Sequence, residues 1–177
     1  MNIALVGATG NVGRKTLEVL ETKKISIDNL YLVASPKSVG KKIKFQGKEI
    51  EVYNLENFNF SKVNIAFFAA GGKISEKFAE KAAKYCLVID NSSFFRMDPD
   101  VPLVVPQVNS DDLNNIKKNI IANPNCSTAQ LVIALKPLHD LFIIKRIVVS
   151  TYQSVSGAGK APMDELFAQT QSVLDSK

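Results

Sequence analysis

The chain of 177 residues has no tryptophan, one histidine and two cysteines, and these scarcities exclude several kinds of site. Cys86 and Cys126 form neither a disulfide framework nor the paired spacing of metal-binding cysteines. Because His139 is the single histidine and the acids are scattered, we expect no metal centre. No apolar run approaches the length of a membrane span, and the first residues enter a predicted strand, so we expect neither a membrane segment nor a signal peptide. The expected location is the cytoplasm, where both thiols stay reduced.

The chain also lacks a concentrated tract of charge of one sign. Its net charge of +5 comes from lysines spread along the sequence. The densest group of lysines contains no arginine, so nucleic acid is not an expected partner, whereas anionic small molecules are. This group consists of Lys41, Lys42, Lys44 and Lys48.

Predicted strands and helices alternate from the first residue, which is typical of a parallel α/β sheet. The continuous apolar run at 64–70 indicates a strand covered on both faces. We therefore predict a doubly wound, mostly parallel sheet, with a proline-punctuated loop over 91–110. The predicted strands cover 2–6, 30–34, 49–53, 64–70, 87–90, 119–122 and 145–153, and the predicted helices cover 12–22, 75–85, 111–117, a segment beginning at Cys126 and another beginning near Pro162.

Three glycines, Gly7, Gly10 and Gly13, follow the first predicted strand and open the first predicted helix. Their spacing is G-x-x-G-x-x-G, which differs from the common dinucleotide fingerprint G-x-G-x-x-G. The physical use is the same, because glycines permit a tight turn and bring backbone amides and a helix N-terminus close to a pyrophosphate. The motif predicts a Rossmann-like nucleotide-binding domain, and the alternative is an ordinary strand-to-helix turn.

The end of the second predicted strand carries no acidic residue. NAD enzymes usually place Asp or Glu there to bind the ribose hydroxyls. Here the strand is followed by Ser35, Lys37 and Ser38, with Lys41 and Lys42 close behind. Hydroxyl and ammonium groups suit a 2′-phosphate, so the pattern favours NADP(H) over NAD(H). The alternative is a solvated basic loop.

The segment NPNCSTA, residues 123–129, places Cys126 where a short extended stretch turns into an apolar helix. Pro124 keeps the preceding residue out of the helical region, and Ser127 or Thr128 is expected to cap amides of the first turn. A thiol at a helix N-terminus lies beside partial positive charge, which favours the nucleophilic thiolate. The segment therefore predicts covalent catalysis on a carbonyl group, and the alternative is a buried core cysteine.

Four further side chains have either a functional or a structural interpretation. Arg96 lies in a loop, where a guanidinium either clamps a phosphate or carboxylate or is solvated. Gln153 ends the last predicted strand, where its amide either binds a carbonyl or carboxylate or flanks the strand. Cys86, at a helix-to-strand joint, is predicted to be a structural thiol. His139 fits a C-terminal cap better than a general base, because it lies about three helical turns from Cys126.

Six segments, taken together and in this order, resemble aspartate-β-semialdehyde dehydrogenases. They are VGATGNVG, LVASPKSVGKK, FFAAGG, VIDNSSFFRMDPDVPLVVPQVN, NPNCSTAQLV and STYQSVSGAGK. They cover most of the chain, and the last three are the most specific. The resemblance implies a Rossmann-like NADP-binding domain over residues 1–125. It also implies that residues 126–177 form the catalytic cysteine helix and the beginning of an α+β catalytic and dimerisation domain.

The resemblance assigns a role to each candidate. It implies that Cys126 forms an acyl-enzyme thioester and that Gln153 orients the substrate. It implies further that Arg96 contacts the phosphate and that Asn125 lines the same site. The implied substrates are aspartyl phosphate, aspartate semialdehyde and phosphate, in lysine, diaminopimelate, methionine and threonine biosynthesis, and the family is homodimeric. The residues predicted to bind NADP(H), from the patterns and the resemblance together, are Gly7, Thr9, Gly10, Asn11, Val12, Gly13, Ser35, Lys37, Ser38, Ser156 and Gly157.

The sequence departs from the family pattern in two respects. Gln107 stands where the family commonly has Glu, at a position with no assigned role. The family also has a second half that supplies an acid/base histidine, and we expect this chain to represent the N-terminal part and to be nearly inactive alone. Two alternatives are an enzyme like N-acetyl-γ-glutamyl-phosphate reductase, which shares the cysteine chemistry, and a non-catalytic NADP-binding module.

Overall fold

The computed structural model describes residues 1–176, in which strands and helices alternate as predicted. The helix predicted at 111–117 is a 3-10 helix, Ser110–Asn115. The strands are β1 (Asn2–Val6), β2 (Asn29–Ala34), β3 (Lys42–Phe45), β4 (Lys48–Asn54), β5 (Ile65–Phe68), β6 (Leu87–Asp90) and β7 (Ile120–Ala122), and the α-helices are α1 (Asn11–Thr22), α2 (Gly72–Ala83), α3 (Pro106–Asn109), α4 (Cys126–Phe142) and α5 (Lys160–Asp175).

The strands of this part of the chain form one sheet in the order β3-β4-β2-β1-β5-β6-β7. All neighbouring pairs are parallel except β3 and β4. Without β3, the order is that of the Rossmann fold, in which the chain turns to the other side of β1 after the first half. The predicted doubly wound α/β class is confirmed, and ligands of this fold bind at the carboxyl ends of the strands.

Apolar side chains cover both faces of the sheet. Leu5 of β1 packs in one buried cluster with Leu17 of α1, whereas its neighbours Ala4 and Val6 belong to a second cluster that contains Phe78 of α2. This alternation follows from the period of two along a strand. Helices lie on both faces of the sheet in the described part of the chain, so a ligand is expected beside the strand ends and the loops that follow them.

The structure contains a strand, β3, that we did not predict. It forms a hairpin with β4 through Gln46 and Gly47, whose φ angles are 46° and 79°, the left-handed values that a tight two-residue hairpin turn requires. The signal is present in the sequence, since Ile43 and Phe45 alternate with lysines before this turn. We assigned no element to this segment and interpreted its lysines only as positive charge that favours anionic ligands.

The strand predicted over 145–153 is wrong. Residues 143–154 have no regular secondary structure, and Ile147, Val148 and Val149 are exposed. The run of β-branched residues is typical of a strand, but a strand is stabilised by hydrogen bonds to a neighbouring strand, and the seven-stranded sheet does not include this segment. Local pattern was therefore not sufficient.

Two compact units make up the chain, Met1–Ile144 and Lys145–Lys177. The first contains the whole sheet and α1 to α4, and the second contains a 3-10 turn, Val155–Ala158, followed by α5. The predicted division into 1–125 and 126–177 separates functions rather than compact units, and it stays a prediction. Among the described residues, none of the helices has the length and apolar character needed to cross a bilayer.

Candidate active site

The thiol of Cys126 lies at the first position of α4. Asn125 is the capping residue, with extended backbone angles (φ −60°, ψ 146°), and its Oδ1 accepts hydrogen bonds from Ser127 N–H (2.9 Å) and Ser127 Oγ–H (2.6 Å). Cys126 is exposed, and its Sγ lies 3.9 Å from Asn125 Oδ1. The predicted cap at Ser127 or Thr128 is wrong. Both follow the cysteine inside the helix, whereas a capping residue must precede the first helical residue.

The two thiols have opposite environments. Cys86 is buried behind α2, with 6% of its surface exposed, and its thiol donates to the carbonyl of Ala82 at 3.4 Å. Burial raises the pKa of the Cys86 thiol to about 11, because the thiolate would lose its hydration. The prediction of a structural thiol at this position is confirmed. Cys126, which is exposed at a helix N-terminus, is the thiol that an electrophile can reach.

Arg96 lies at the same edge of the sheet, half-buried between the ends of β6 and β7. Its Nε donates to the carbonyl of Asn123 at 2.9 Å, and Nη2 donates to the carbonyl of Asn91 at 3.3 Å. The Asn123 amide in turn donates to the side chain of Asn91. These bonds hold the guanidinium beside Asn123, which is three residues before Cys126. They leave Nη1 without a partner among residues 1–176. Arg96 is therefore anchored, not solvated.

A buried polar network lies directly behind this site, and the sequence did not reveal it. Asp90, the last residue of β6, has no exposed surface. Its Oδ1 accepts from Ser75 Oγ–H (2.6 Å) and Ser92 N–H (3.1 Å), and its Oδ2 accepts from Ser92 Oγ–H (2.7 Å). The signal that could have pointed to it is an aspartate that ends an apolar strand and is followed two residues later by a serine, the pattern of a turn in which Asp accepts from the backbone.

The structure shows which glycines of the predicted nucleotide loop the fold itself requires. A Cβ at Gly7, whose φ is +89°, would lie 2.6 Å from the carbonyl oxygen of Ala69. A Cβ at Gly13 would collide with Gly7 O and lie 2.8 Å from Ala8 Cα. Gly10 is different: it caps α1 with an ordinary φ of −80°, and its Cβ would meet nothing closer than 3.4 Å. Gly7 and Gly13 are thus required by packing of the loop, whereas the fold does not require Gly10.

The loop after β2 lies beside the glycine loop. Thr9 Oγ1 is 3.4 Å from Ser38 Oγ, a hydrogen bond that joins two of the predicted cofactor positions. Ser38 is buried, and Lys37 in the same 3-10 turn is exposed without an ion pair among the described residues. The other predicted positions here, Asn11, Val12 and Ser35, are exposed at the same sheet edge, in the first turn of α1 and after β2.

The remaining predicted residues belong to the second compact unit. Gln153 Nε2 donates to Thr151 Oγ1 at 3.3 Å, in the segment without regular secondary structure. Ser156 and Gly157 lie in the 3-10 turn Val155–Ala158, where Gly157 N–H donates to the carbonyl of Ser154 at 3.1 Å. Their roles beside Cys126 stay predictions.

His139 is placed far from the thiol. It lies in the last turn of α4, exposed, and its carbonyl accepts from Ile143 N–H at 2.8 Å. Thirteen positions of helix separate it from Cys126, which corresponds to about 20 Å at 1.5 Å per residue. The described part of the chain also contains no group of three or more His, Cys, Asp or Glu side chains suited to a metal ion.

Comparison with known proteins identifies the family of the chain. The family profile described as semialdehyde dehydrogenase, NAD binding domain, matches residues 2–116. The chain belongs to the semialdehyde dehydrogenase family. A second profile of the family, described as the dimerisation domain, matches residues 135–177.

Relatives within the semialdehyde dehydrogenase family are close in sequence. Aspartate-semialdehyde dehydrogenase 2 of Vibrio cholerae is 53% identical over 176 residues, which cover 98% of this chain and 52% of that protein. The aspartate-semialdehyde dehydrogenase of Aquifex aeolicus is 54% identical over 179 residues, with 99% and 52% covered. The chain therefore spans about half the length of the relatives it matches.

Solved structures show the same similarity. Aspartate semialdehyde dehydrogenase II from Vibrio cholerae, complexed with ASA, superposes with a TM-score of 0.93 at 52% identity, over 99% of this chain and 53% of that one. Aspartate semialdehyde dehydrogenase from Candida albicans, solved with NADP, has a TM-score of 0.66 at 27% identity, over 81% and 48% of the two chains.

Proposed function

We propose that this chain supplies the NADP-binding site and the catalytic thiol of an aspartate-semialdehyde dehydrogenase, which reduces L-4-aspartyl phosphate to L-aspartate 4-semialdehyde and releases phosphate. The observation that carries the proposal is the meeting of Cys126 and Arg96 at one sheet edge. The thiol begins α4, and the guanidinium is bonded to the carbonyl of Asn123, three residues earlier. The similarity to the Vibrio cholerae enzyme that was solved with ASA supports the substrate class.

In the proposed reaction, the thiolate of Cys126 attacks the acyl carbon of aspartyl phosphate. A carbon–sulfur bond forms, the carbon–oxygen bond to phosphate breaks, and phosphate leaves with the electron pair. Negative charge develops on the carbonyl oxygen during the attack. The first-turn amides of α4 and its dipole favour such charge beside the thiol. Asn125, which holds the start of this helix through Ser127, fixes the position of the sulfur.

The proposed role of Arg96 is to bind the phosphate. Two of its N–H groups are used by the carbonyls of Asn91 and Asn123, which orient the plane of the guanidinium. The groups on Nη1 remain for an anion, and a guanidinium binds phosphate oxygens in a fixed geometry. Arg96 then lowers the energy of the leaving phosphate, and it selects acyl phosphates over neutral esters.

The glycine loop suits a dinucleotide, because Gly7 and Gly13 let the turn pack tightly against the backbone and Gly10, at the start of α1, has no side chain to obstruct a phosphate. When bound, the nicotinamide cofactor supplies the hydride that reduces the thioester on Cys126. Ser35, Lys37 and Ser38 follow β2 in place of an acid, which supports NADP(H) over NAD(H). The Candida albicans relative, which was solved with NADP, agrees with this preference.

The second unit completes the proposal. Gln153 is proposed to orient the substrate, and Ser156 and Gly157 are proposed to contact the cofactor. The dimerisation profile over residues 135–177, together with exposed Leu166 and Phe167 on α5, supports a homodimer. The proposed location is the cytoplasm, where Cys126 stays reduced.

A second candidate is a non-catalytic NADP-binding module, and one observation favours it. Acid–base assistance contributes roughly 10²–10⁴-fold to such reactions, and the single histidine lies about 20 Å along α4 from Cys126. Acylation of a thiolate needs no general base, whereas the later steps move protons. The two candidates therefore differ in whether Cys126 can be acylated.

The test is acyl transfer to the chain. L-4-aspartyl phosphate, generated in situ by an aspartate kinase, is incubated with the protein in the absence of NADPH, and tryptic peptides are examined by mass spectrometry. An aspartyl group on the Cys126 peptide, absent in Cys126→Ala and present in Cys86→Ala, is the expected result. A folded protein that binds NADPH but acquires no aspartyl group would be the non-catalytic module.

A further inference from the structure

We propose that Asp90 is a positioning residue for the anion site, acting through Ser92 to hold Arg96 in place. The inference rests on the proposed function, because it concerns the arginine that we assign to the phosphate. Asp90 touches neither the thiol nor the guanidinium among its hydrogen bonds. Its three bonds go to Ser75 and Ser92, so any effect on the site passes through the turn that follows β6.

The turn between Asp90 and Arg96 is built on the hydroxyl of Ser92. This oxygen donates its hydrogen to Asp90 Oδ2 at 2.7 Å and accepts from Phe94 N–H at 3.1 Å. The next residue, Phe95, is 1% exposed and packs edge-on against Phe94 at 4.8 Å between ring centroids. Arg96 therefore directly follows a segment that a buried carboxylate anchors at one end, Asp90, and a buried ring anchors at the other, Phe95.

The acceptors of Arg96 depend on the same anchor. Asn91, whose carbonyl accepts from Nη2, directly follows Asp90, and the carbonyl of Asp90 itself accepts from Asn123 N–H at 2.8 Å. Asn123 supplies the second acceptor, for Nε. A change in the Asp90 anchor thus displaces the guanidinium and its acceptors together. A buried carboxylate with three donors is costly to disturb, since each unmet donor carries a penalty of desolvation.

The readout is the charge preference of Cys126 alkylation. Iodoacetate is an anion and iodoacetamide is its neutral analogue, so the ratio of their rates at one thiol reports the positive charge beside it. Rates at Cys126 are obtained by peptide mapping, below the unfolding temperature of each variant. Protection of Cys126 by inorganic phosphate is the second readout. A loss of stability alone changes both alkylation rates alike and leaves the ratio unchanged.

Two matched pairs of variants separate positioning from folding. Ser92→Ala and Ser75→Ala each remove one hydroxyl bond to Asp90, but only Ser92 belongs to the turn. Asp90→Asn and Asp98→Asn each replace a carboxyl group by an amide. Asp98 lies two residues after Arg96 in the sequence and pairs with Lys118 at 2.9 Å. The hydrogen bond from the Lys118 ammonium holds the pKa of Asp98 below its usual range, so this control removes a full negative charge.

We expect Arg96→Gln to lower the iodoacetate to iodoacetamide ratio by roughly three- to tenfold, and Ser92→Ala and Asp90→Asn to lower it by roughly threefold with weaker phosphate protection. Ser75→Ala and Asp98→Asn should not lower it. Removal of a negative charge would by itself favour iodoacetate, so a fall in Asp90→Asn opposes the simple electrostatic effect.

An unchanged ratio in folded Ser92→Ala, with a lowered ratio in Arg96→Gln, would overturn the positioning role and leave the proposed function standing. An unchanged ratio in Arg96→Gln would instead refute the phosphate role of the arginine. If Asp90→Asn does not fold, Ser92→Ala decides. An equal fall in Ser75→Ala would mean that the effect on Arg96 does not depend on the turn that Ser92 forms, which also counts against positioning through Ser92.

Discussion

Cys126 should react with alkylating reagents well before Cys86 in the folded chain. The experiment compares the rates at which iodoacetamide alkylates each cysteine at pH 8 in the wild type, Cys126→Ala and Cys86→Ala. Cys126 is exposed at the start of α4, whereas Cys86 is 6% exposed and hydrogen-bonded to Ala82. Because alkylation requires the thiolate, both ionisation and access enter the expected ratio.

The magnitude follows from the pKa of Cys86. Burial raises this pKa to about 11, so about one molecule in a thousand carries the thiolate at pH 8. An ordinary thiol with a pKa near 8.5 is about one quarter ionised at that pH, which makes ionisation worth a factor of about 200. A more basic thiolate is also more nucleophilic, by about tenfold over this interval. Ionisation and nucleophilicity together therefore favour an ordinary exposed thiol over Cys86 by about 20-fold, and the restricted access to a buried thiol adds to this.

The assay is peptide mapping after timed alkylation, repeated between pH 7 and pH 10. Labelling of Cys86 in folded protein should rise about tenfold per pH unit over this range, because its thiolate fraction does. After denaturation, both cysteines should react at similar rates, which is the control for reagent accessibility. If Cys86 is labelled before Cys126 in the folded wild type, both the assignment of the nucleophile and the placement of the two thiols are refuted.

Four further results are expected. NADP(H) should bind more tightly than NAD(H), and both Lys37→Ala and higher salt should shrink the difference, because salt screens contacts with the 2′-phosphate. Gly10→Ala should fold and weaken cofactor binding, whereas Gly13→Ala should lose about 1–3 kcal/mol of stability through overpacking. Unfolding by denaturant should become easier between about pH 8.5 and pH 11 by at most about 3 kcal/mol from Cys86, since the unfolded thiol ionises first, and Cys86→Ala should remove this component. The 177-residue chain alone should show almost no steady-state turnover of aspartate semialdehyde with phosphate and NADP.

Each of these expectations has a contrary outcome. Equal affinities for the two cofactors would remove the case for NADP(H). Unaltered cofactor affinity in Gly10→Ala would show that the backbone there does not approach the pyrophosphate, and a stable Gly13→Ala would contradict the loop packing. An alkaline loss of stability that is the same in Cys86→Ala would assign the effect to other groups. Turnover at the rate of the full-length relatives would show that the acid–base function is provided within this chain.

Most of the sheet could be predicted because its strands carry a local signal. The run at β5 is apolar on both faces, and the glycines after β1 mark the first crossover. Two segments defeated the same reasoning. We missed the hairpin strand β3 because of its lysines, and residues 145–153 have a strand-like run of β-branched residues without a place in the sheet. Pairing is a tertiary property, so periodicity alone cannot decide it.

The candidate site divides along the same line. Cys126 could be found because the short motif around it predicts both a helix and the position of the cysteine at the start of that helix. Arg96 could be proposed only from resemblance, because nothing near it in sequence reveals that its acceptors are the carbonyls of Asn91 and Asn123, five residues before it and 27 residues after it. Asp90, which ends β6, was missed for the same reason, since its partner Ser75 belongs to α2, fifteen residues earlier.

The thiol and the arginine follow the carboxyl ends of two neighbouring parallel strands, β7 and β6. The carboxyl ends of β6 and β7 are held in register by backbone bonds, including Asn123 N–H to Asp90 O at 2.8 Å. A displacement of one strand end is therefore transmitted to the other. The thiol is positioned by the cap of α4 after β7, and the guanidinium by the turn after β6. The sheet holds these two supports at a fixed separation. This rigidity favours a fixed approach of the thiolate to an acyl phosphate, which is what orientation contributes to the rate.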